Sequence, residues 1–340
     1  MSDAHPRSAE AARYDVVGIG NAIVDVLSHE NDDFLIRHGM NKGTMALIDA
    51  DTADRLYADM GAGLECSGGS AANTIAGLAS LGGRGAFIGK VRDDVLGGVF
   101  HHDIKAVGVH FQTTPASRGA STARCLIHVT ADAERTMNTY LGACVELGPL
   151  DVDEDVVRAA QVTYLEGYLW DKEDAKAAFV KAAEVAHAAG RDVALSLSDP
   201  FCVDRHRESF LGLVASHVDI LFANEDEICA LYQVGNFDTA LQQVRGHCKV
   251  AALTRGAKGS VVISGDEIHI VDCDPVDHVV DTTGAGDAYA AGFLFGYTNG
   301  FADDLAHCAR MGGVCAAEII SHFGARPETP LNDVVAAKLG

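Results

Sequence analysis

The stretch DTTGAGDAYAAGF, residues 281–293, places glycines and acidic residues at the start of a helix-like run of small and aromatic residues. If a helix begins near Gly284, the backbone N–H groups of Ala285, Gly286 and Asp287 have no intrahelical acceptor and favour an anion. Asp287 can then accept the proton of a hydroxyl group that attacks a γ-phosphate. The alternative is an ordinary capped helix, but the complete DTTGAGD pattern favours the chemical interpretation.

The stretch SGGSAANTIAGLASLGG, residues 67–83, predicts a second polar site at the start of a small-residue helix. Gly68 and Gly69 form a turn that admits a flat substrate against the backbone, and Asn73 can hydrogen-bond vicinal hydroxyls. Asp25, within the apolar NAIVDVL, is a carboxylate suited to two adjacent hydroxyls of a sugar. The structural alternatives are a helix packed on a sheet and a surface acid at a strand end, and each motif alone leaves the choice open.

The stretch ANEDE, residues 223–227, follows a predicted strand and is suited to the nucleotide side of such a reaction. Asn224 and Glu227 are three residues apart and share one face of a first helical turn. Together they could orient a hydrated Mg²⁺ beside phosphates, since Mg²⁺ commonly keeps water and takes few protein ligands. A helix N-cap followed by favourable acids explains the same pattern well.

The stretch LTRGAKGSVV, residues 253–262, predicts a strand, a glycine turn and a second strand. Thr254 and Arg255 could meet phosphate, while Gly256 and Gly259 shape the hairpin. The GxxxxGK[ST] spacing of a Walker A loop is missing. Arg135, in the hairpin DAERTM, is a cation that could close over the phosphates, and its structural alternative is a solvated surface arginine.

Composition narrows the class of protein. The chain has 340 residues, of which 48% are hydrophobic and 22% charged, so a sizeable core can form. A net charge of −22 makes nucleic acid and anionic membranes poor partners. The nine cysteines show no CxxC pair and no zinc spacing, which favours reduced thiols in a cytosolic protein. Residues 1–13 are expected to be a polar tail, and no apolar run reaches transmembrane length, so we expect a soluble, cytoplasmic protein.

The elements that must position these residues follow from the apolar patterns. Runs that do not alternate, such as YDVVGIGNAIVDVL at residues 14–27, indicate strands covered on both faces and therefore a parallel α/β sheet. Residues 122–143 alternate around a turn, which predicts an antiparallel hairpin. We predict one α/β domain over residues 14–340: a doubly wound, mainly parallel sheet flanked by helices. A small antiparallel β lid would come from inserted segments at about 25–50 and 112–143, with the sites at strand carboxyl ends.

In their order along the chain, GGxxxN, NxxE, TRGxxG and DTTGAGD resemble the ribokinase-like, or PfkB, carbohydrate kinase family, over about residues 14–326. GNAIVDV, LSLSDPF and VDILFANEDE are most similar to its adenosine kinase branch. The resemblance implies a kinase that uses ATP and Mg²⁺ to phosphorylate a primary hydroxyl, the 5′-OH in a nucleoside. Family members often also use a monovalent cation such as K⁺.

The resemblance also implies roles for individual residues. Asp287 is the expected base, and the amides of Gly284, Ala285 and Gly286 are expected to hold the transferring phosphoryl group. The other implied positions are Asn21, Asp25, Met45, Gly68, Gly69, Asn73, Arg135 and Tyr168 for the substrate; Asn224, Thr254, Arg255, Gly256 and Gly259 for ATP; Asn224 and Glu227 for Mg²⁺ through water; and Asp281 and Thr283 for a monovalent cation near residues 321–325.

The acceptor is predicted from the residues that would face a purine. Tyr168 and Trp170 lie where adenosine kinases carry an aromatic ring, and Met45 adds an apolar contact. Adenosine is the first expectation; a ribose or ketose kinase and an inosine or guanosine kinase are the alternatives. A non-catalytic binding protein would need no base at Asp287, and a nicotinamide-dependent dehydrogenase would need a GxGxxG turn that is missing. Either a monomer or a homodimer is compatible with the sequence.

Overall fold

Parallel strands form the centre of the fold in this computed structural model, which describes residues 12–132 and 134–340. Most of the predicted polar tail, residues 1–13, therefore lies outside the described residues. In chain order, the strands are β1 (Tyr14–Ile19), β2 (Ile23–His29), β3 (Met45–Leu47), β4 (Gly63–Gly68), β5 (Gly85–Ile88), β6 (His110–Phe111), β7 (Ala123–Val129), β8 (Arg135–Tyr140), β9 (Ala160–Glu166), β10 (Asp192–Ser196), β11 (Ile220–Asn224), β12 (Val250–Thr254), β13 (Ser260–Ser264) and β14 (Glu267–Val271).

Within the described residues, nine strands form the large sheet in the order β14-β13-β12-β11-β10-β9-β1-β5-β6. The pairings from β12 across to β6 are parallel, and β13 and β14 add an antiparallel edge. The chain starts at β1, builds outward to β5 and β6, and then returns to continue from β9 in the other direction. Such a reversal leaves a crevice at the carboxyl ends of the central strands, where ligands bind in doubly wound folds.

Helices cover both faces of the large sheet, as the non-alternating strands predict. They are α1 (Asp32–Arg37), α2 (Ala50–Asp59), α3 (Ser70–Ser80), α4 (Val95–Ala106), α5 (Glu154–Arg158), α6 (Glu173–Ala188), α7 (Pro200–His217), α8 (Glu225–Tyr232), α9 (Phe237–Val244), α10 (Ala285–Thr298), α11 (Leu305–Ile319) and α12 (Leu331–Leu339). Val17 of β1 belongs to a core cluster with Trp170 and Phe179, whereas its neighbour Val16 packs in a cluster with Phe87 and Phe293. The predicted α/β class, a mainly parallel sheet between helices, is confirmed.

A second sheet of five strands in the described residues has the order β3-β8-β7-β2-β4. The β2–β4 and β7–β8 pairs are antiparallel, while β2–β7 and β3–β8 are parallel, so this sheet is mixed rather than wholly antiparallel. The inserted segments predicted from the sequence supply four of its strands. The fifth, β4, comes from residues 63–68, outside both segments.

The first predicted strand, residues 14–27, is two strands in two sheets. β1 ends at Ile19 in the large sheet, and β2 begins at Ile23 in the small sheet. The break at residues 20–22 turns the chain at the carboxyl edge of the large sheet, and so places Asn21 and Asp25 at the crevice. Within the described residues, no helix is both long and apolar enough to cross a membrane.

Candidate active site

A cavity of about 1580 Å³ lies where the carboxyl ends of the central parallel strands meet the small sheet. Parallel strands end at a common edge, so residues at the ends of β9, β10, β11 and β12 reach the same cavity. It is lined by most residues that the sequence singled out, namely Asn21, Asp25, Met45, Gly69, Asn73, Tyr168, Asn224, Glu227, Thr254, Arg255, Gly256, Gly259, Thr283, Gly284, Ala285, Gly286 and Asp287. Gly68, Arg135 and Asp281 are not among the lining residues.

Asp287 lies in the first turn of α10 and is oriented from α3. Its Oδ1 accepts a 2.6 Å hydrogen bond from Ser70 Oγ, and its Oδ2 accepts a 3.2 Å bond from Asn73 Nδ2. Burial raises the pKa of Asp287 above its ordinary value, although both hydrogen bonds act to lower it. Ser70 is missing from the sequence prediction; the available signal is its place directly after the two glycines of GGxxxN.

The glycine turn before α10 resembles the predicted anion site except at one of the expected amides. Gly284 adopts φ 78°, and a Cβ there would lie 2.6 Å from the Ala325 Cβ, so glycine is required. The Ala285 amide donates to the Thr282 carbonyl at 3.2 Å. Within the described residues, the Gly284 and Gly286 amides have no such partner, and a Cβ built on Gly286 would meet nothing within 4 Å. An anion can therefore approach the backbone at Gly286, whereas the Ala285 amide is already engaged.

Asp25 projects from β2 into the cavity. Burial raises the pKa of its carboxyl to about 6, while the charges of Arg326 and Arg135 oppose this rise. A Cβ on Gly68 would collide with the Asp25 carboxylate, and a Cβ on Gly69 with the Asn21 carbonyl. These two glycines therefore let β4 pass close to the polar residues, which is a packing requirement beyond the flat-substrate contact expected from the sequence.

Asn21 is held by Glu166, a residue that sequence reasoning missed. Glu166 ends β9 and is 1% exposed; its oxygens accept from the Asn21 side-chain amide at 2.7 Å and from the Ala71 backbone amide at 2.8 Å. Burial raises the pKa of Glu166 to about 7. Asn21 Oδ1 is buried and has no hydrogen-bond partner among residues 12–132 and 134–340. The signal for Glu166 is a single acid at the end of an otherwise apolar strand, which is weak without a known partner 145 residues away.

Asn224 and Glu227 form the helix cap that was the structural alternative, and both also line the cavity. The Asn224 side chain accepts from the Glu227 amide at 2.8 Å, and Glu227 accepts from the Asn224 backbone and side-chain amides at 2.9 and 2.7 Å. Burial raises the pKa of Glu227 to about 7. The capping box fixes both oxygen-bearing groups at the end of β11, facing the crevice.

Arg255 lines the cavity and is paired with an acidic side chain. Its guanidinium pairs with Glu225 at 3.1 Å and lies 4.1 Å from the centre of the Phe237 ring. Lys258 approaches the same carboxylate at 3.4 Å. A phosphate contact from Arg255 would therefore compete with Glu225, while Thr254 lines the cavity at the end of β12.

Arg135 and Asp281 form an ion pair between β8 and the glycine turn. Both side chains are 8% exposed, so Arg135 is not the solvated arginine that was its structural alternative. Asp281 also accepts from the Thr283 amide at 3.0 Å and the Gly324 amide at 3.1 Å. Burial acts to raise the pKa of Asp281, but these hydrogen bonds and the Arg135 charge lower the pKa below its ordinary value. The pair ties the small sheet to the start of the anion turn.

Comparisons with known proteins agree with this geometry. The model of the pfkB family carbohydrate kinases matches residues 60–332, and the chain belongs to that family. The solved adenosine kinase of Sinorhizobium meliloti is 54% identical, with 96% of this chain and 100% of that chain covered and a TM-score of 0.88. A probable sugar kinase protein from Rhizobium etli CFN 42 is 51% identical, with 96% and 99% covered and a TM-score of 0.88. The adenosine kinase of Saccharomyces cerevisiae is 28% identical over 95% of this chain and 99% of the yeast protein.

The resemblance predicted from the motifs is thereby confirmed. The chain is a phosphotransferase that acts on a hydroxyl group, and its family consists of ATP-dependent kinases. The dehydrogenase and the non-catalytic binding protein are not supported by these relatives.

Proposed function

We propose that this chain transfers the γ-phosphoryl group of ATP to the 5′-hydroxyl of a nucleoside, with adenosine as the first candidate. The choice of a nucleoside as the acceptor rests on an apolar wall in the same cavity as the residues proposed to bind hydroxyls. This wall consists of Ile23, Met45, Leu47, Ile127, Met137, Tyr168 and Phe201, all of which line the same cavity as Asp25. Met45 is 53% and Phe201 78% exposed. A purine would cover these side chains, whereas a bare sugar would leave them in water.

The roles on the acceptor side follow from the contacts. Asp25 and the unpartnered Oδ1 of Asn21 are proposed to accept hydrogen bonds from ribose hydroxyls, with Asn73 and the Gly69 backbone beside them. The reacting hydroxyl would then point toward Asp287. Its proton passes to the Asp287 carboxylate as its oxygen bonds to the γ-phosphorus; the bond from that phosphorus to the bridging oxygen breaks, and ADP leaves with the electron pair.

The phosphoryl group in transfer is proposed to lie against the Gly284 and Gly286 amides at the positive end of α10. The two amides and the helix dipole stabilise the developing negative charge without rearrangement. Arg135 is proposed to contribute its charge to the same region, shared with Asp281. Thr254 and Arg255, with Gly256 and Gly259 in the turn, would border the rest of ATP.

The donor set near β11 fits a hydrated Mg²⁺. Asn224 and Glu227 present oxygen atoms, the ligands that Mg²⁺ prefers, and the hydrogen bonds between them leave lone pairs for metal-bound water. When bound with ATP, Mg²⁺ would neutralise charge on the phosphates. A K⁺ ion near Asp281 and Thr283 would have to share the Asp281 carboxylate with Arg135, and dependence on K⁺ stays a prediction.

The proposed function is tested by measuring ADP release from ATP–Mg²⁺ with one candidate acceptor at a time: adenosine, inosine, guanosine, ribose and fructose. The proposal expects the highest kcat/KM with adenosine. 5′-Deoxyadenosine is the matched control, because it carries the purine and the other ribose hydroxyls but not the acceptor; it should inhibit without being phosphorylated. The sugar kinase alternative, supported by the similarity to the Rhizobium etli protein, predicts instead that ribose or fructose exceeds every nucleoside.

The oligomeric state and the cellular compartment of the protein are also proposals. We infer a location in the cytoplasm, as the composition predicts, and either a monomer or a homodimer, both of which are compatible with the sequence. Light scattering on the purified protein and fractionation of cells would test these two statements.

A further inference from the structure

Arg326 places a positive charge on the proposed acceptor side of the site and has no carboxylate partner among the described residues. Its Nε and Nη2 donate to the Ser67 carbonyl at 3.2 and 2.7 Å, and Nη2 also donates to the Ser67 hydroxyl at 2.9 Å. Nη1 is buried and has no hydrogen-bond partner in the part of the chain that the structure describes. None of the ion pairs formed by residues 12–132 and 134–340 includes Arg326. A guanidinium bound to a carbonyl keeps its full charge, whereas pairing with a carboxylate would cancel most of it.

The segment that contains Arg326 also supports the anion turn. The Gly324 amide donates to Asp281 at 3.1 Å, and Ala325 packs against the backbone of Gly284. Arg326, the next residue, reaches across to β4 of the small sheet. Three consecutive residues therefore connect the turn proposed to hold phosphate with the sheet that carries the acceptor site.

The contacts place Arg326 beside Asp25, because it binds Ser67, and a Cβ on the neighbouring Gly68 would collide with the Asp25 carboxylate. The charge of Arg326 acts on ionisable groups from four different elements. They are Asp25 on β2, Cys66 on β4, Asp103 on α4 and Asp287 on α10. Ser67 lies between Arg326 and Asp103, because its amide and hydroxyl donate to Asp103 at 2.7 and 2.5 Å. Arg326 is thus held by Ser67, and its charge acts on Asp25 and Asp287 in the cleft as well as on Cys66 and Asp103.

We infer that Arg326 is a positioning residue for phosphoryl transfer, whose unpaired charge keeps Asp25 and Asp287 ionised together while its contacts with Ser67 hold β4 against the anion turn. This inference rests on the proposed function, because Asp287 acts as a base only in that reaction. Two carboxylates in one cleft disfavour each other's charge. A buried cation that faces both of them offsets this repulsion.

The titration of Asp25 supports the inference. Burial raises its pKa to about 6, and the charge of Arg326 is the largest opposing influence, ahead of Arg135 on β8. The charge of Asp287 acts in the same direction as burial. Without Arg326, Arg135 alone would oppose the rise.

The charge of Arg326 also lowers the pKa of Asp287, although less than the two hydrogen bonds to that carboxylate do. Burial raises its pKa, and the hydrogen bonds from Ser70 and Asn73 and the charge of Arg326 lower it. Besides Arg135, which acts on Asp25, the ionisable groups whose charges interact with one or both carboxylates are Cys66, Cys125, Tyr164, Glu166, Tyr168 and Glu227. None of these is a cation, so none can replace Arg326.

The first test compares Arg326→Gln, which removes the charge, with Arg326→Lys, which keeps it. We expect the acidic limb of the pH profile of kcat/KM to move to higher pH in Arg326→Gln. The ratio of the wild-type kcat/KM to that of the variant should then be about tenfold larger at pH 6 than at pH 8.5. Arg326→Lys should keep the wild-type limb with a higher acceptor KM. Arg84→Gln is the matched control, because Arg84 pairs with the buried Asp15 at the opposite end of β1. A loss in Arg326→Gln that is equal at every pH, or a shifted limb in Arg326→Lys, overturns the inference.

The second test needs no turnover. The side-chain carboxyl signals of ¹³C-labelled aspartate are titrated by NMR in the unliganded wild type and in Arg326→Gln, with Asp25→Asn and Asp287→Asn used for assignment. Both aspartates should titrate at higher pH in the variant. Unchanged titration overturns the inference even in an active kinase. A shifted titration in a protein that phosphorylates nothing in the panel would support the charge effect and reject the proposed function.

Discussion

The hydroxyl group of Ser70 donates a 2.6 Å hydrogen bond to Oδ1 of Asp287, which joins the first turn of α3 to the first turn of α10. Asn73, one turn further along α3, binds the other carboxylate oxygen. The GGxxxN motif therefore orients the proposed base as well as the substrate. Since both side chains donate, they favour the ionised carboxylate, which is the form able to accept a proton.

Ser70→Ala should weaken the enzyme most in acid. Loss of one hydrogen bond to the carboxylate raises the pKa of Asp287 further above its ordinary value, so the acidic limb of kcat moves to higher pH. At pH 8 we expect a loss of about tenfold, the lower end of the range for one hydrogen bond to a charged group. The pH dependence of kcat checks this, with Ser216→Ala, an exposed serine on α7, as the control. A limb that does not move would show that Ser70 acts only in packing.

Asp287→Asn should retain ligand binding and lose about two to four decades in kcat, the span typical of a positioned acid–base group. An amide cannot accept the proton of the attacking hydroxyl, but it fills the same space and can still contact Ser70. Steady-state kinetics and thermal stabilisation by adenosine measure the two properties separately. Near-normal turnover would remove Asp287 from the role of base.

Asp25→Ala should weaken the acceptor far more than ATP. The carboxylate lines the acceptor side of the cavity and forms no hydrogen bond within the described part of the chain, so its acceptor capacity is available to substrate hydroxyls. Loss of a hydrogen bond to a charged group corresponds to about 1.5–3 kcal/mol, or about 10- to 150-fold in acceptor KM. Separate KM values for adenosine and ATP check this. An equal increase in both would mean that Asp25 has a structural role.

The features that the sequence predicted are those encoded by local patterns. Non-alternating apolar runs indicate buried parallel strands, and DTTGAGD places its glycines and Asp287 within one turn of a helix start. Asn224 and Glu227 likewise share one turn, so the sequence indicated both interpretations of that pair, a helix cap and a Mg²⁺ site. Such features need no knowledge of which distant segments meet.

The missing features depend on contacts between distant segments. Glu166 reaches Asn21 across 145 positions, and Arg326 reaches Ser67 across 259. The pairing of Arg135 with Asp281 was likewise not predictable, because an arginine in a hairpin has the same local pattern whether it is solvated or buried. The division of residues 14–27 into two strands has the same origin: the apolar run continues, and only the packing of the second sheet shows where it bends.

His128 on β7 should make the protein less stable in acid. The side chain is buried beside Phe34, and neither ring nitrogen has a hydrogen-bond partner within the described residues. Burial lowers the pKa of His128 from 6.5 to about 4. The unfolded chain protonates His128 more readily than the folded protein does. The contribution of the neutral side chain to stability is therefore fully present above pH 6.5 and is lost as the pH falls toward 4. At pH 5 the lowered pKa of His128 reduces the free energy of unfolding by about 2 kcal/mol.

Urea unfolding at pH 7 and pH 5 measures this effect. We expect His128→Leu to show a smaller difference between the two pH values than the wild type, and His102→Gln, an exposed histidine on α4, to leave the difference unchanged. If His128→Leu retains the wild-type difference, the acid sensitivity has another source.

Two neighbouring glycines of the anion turn should respond to alanine in different ways. A Cβ on Gly286 would meet no atom of the described residues within 4 Å, so Gly286→Ala should fold with wild-type stability. The new methyl group would nevertheless occupy the face of the backbone that the phosphoryl group must approach, and kcat should fall by two decades or more, about the loss caused by removing one oxyanion donor. Gly284→Ala should lower stability itself, because Gly284 has φ 78° and its Cβ would lie 2.6 Å from Ala325. Thermal melting and kcat, measured together on both variants, distinguish the two effects, and a fully active Gly286→Ala would place the transferring phosphoryl group elsewhere.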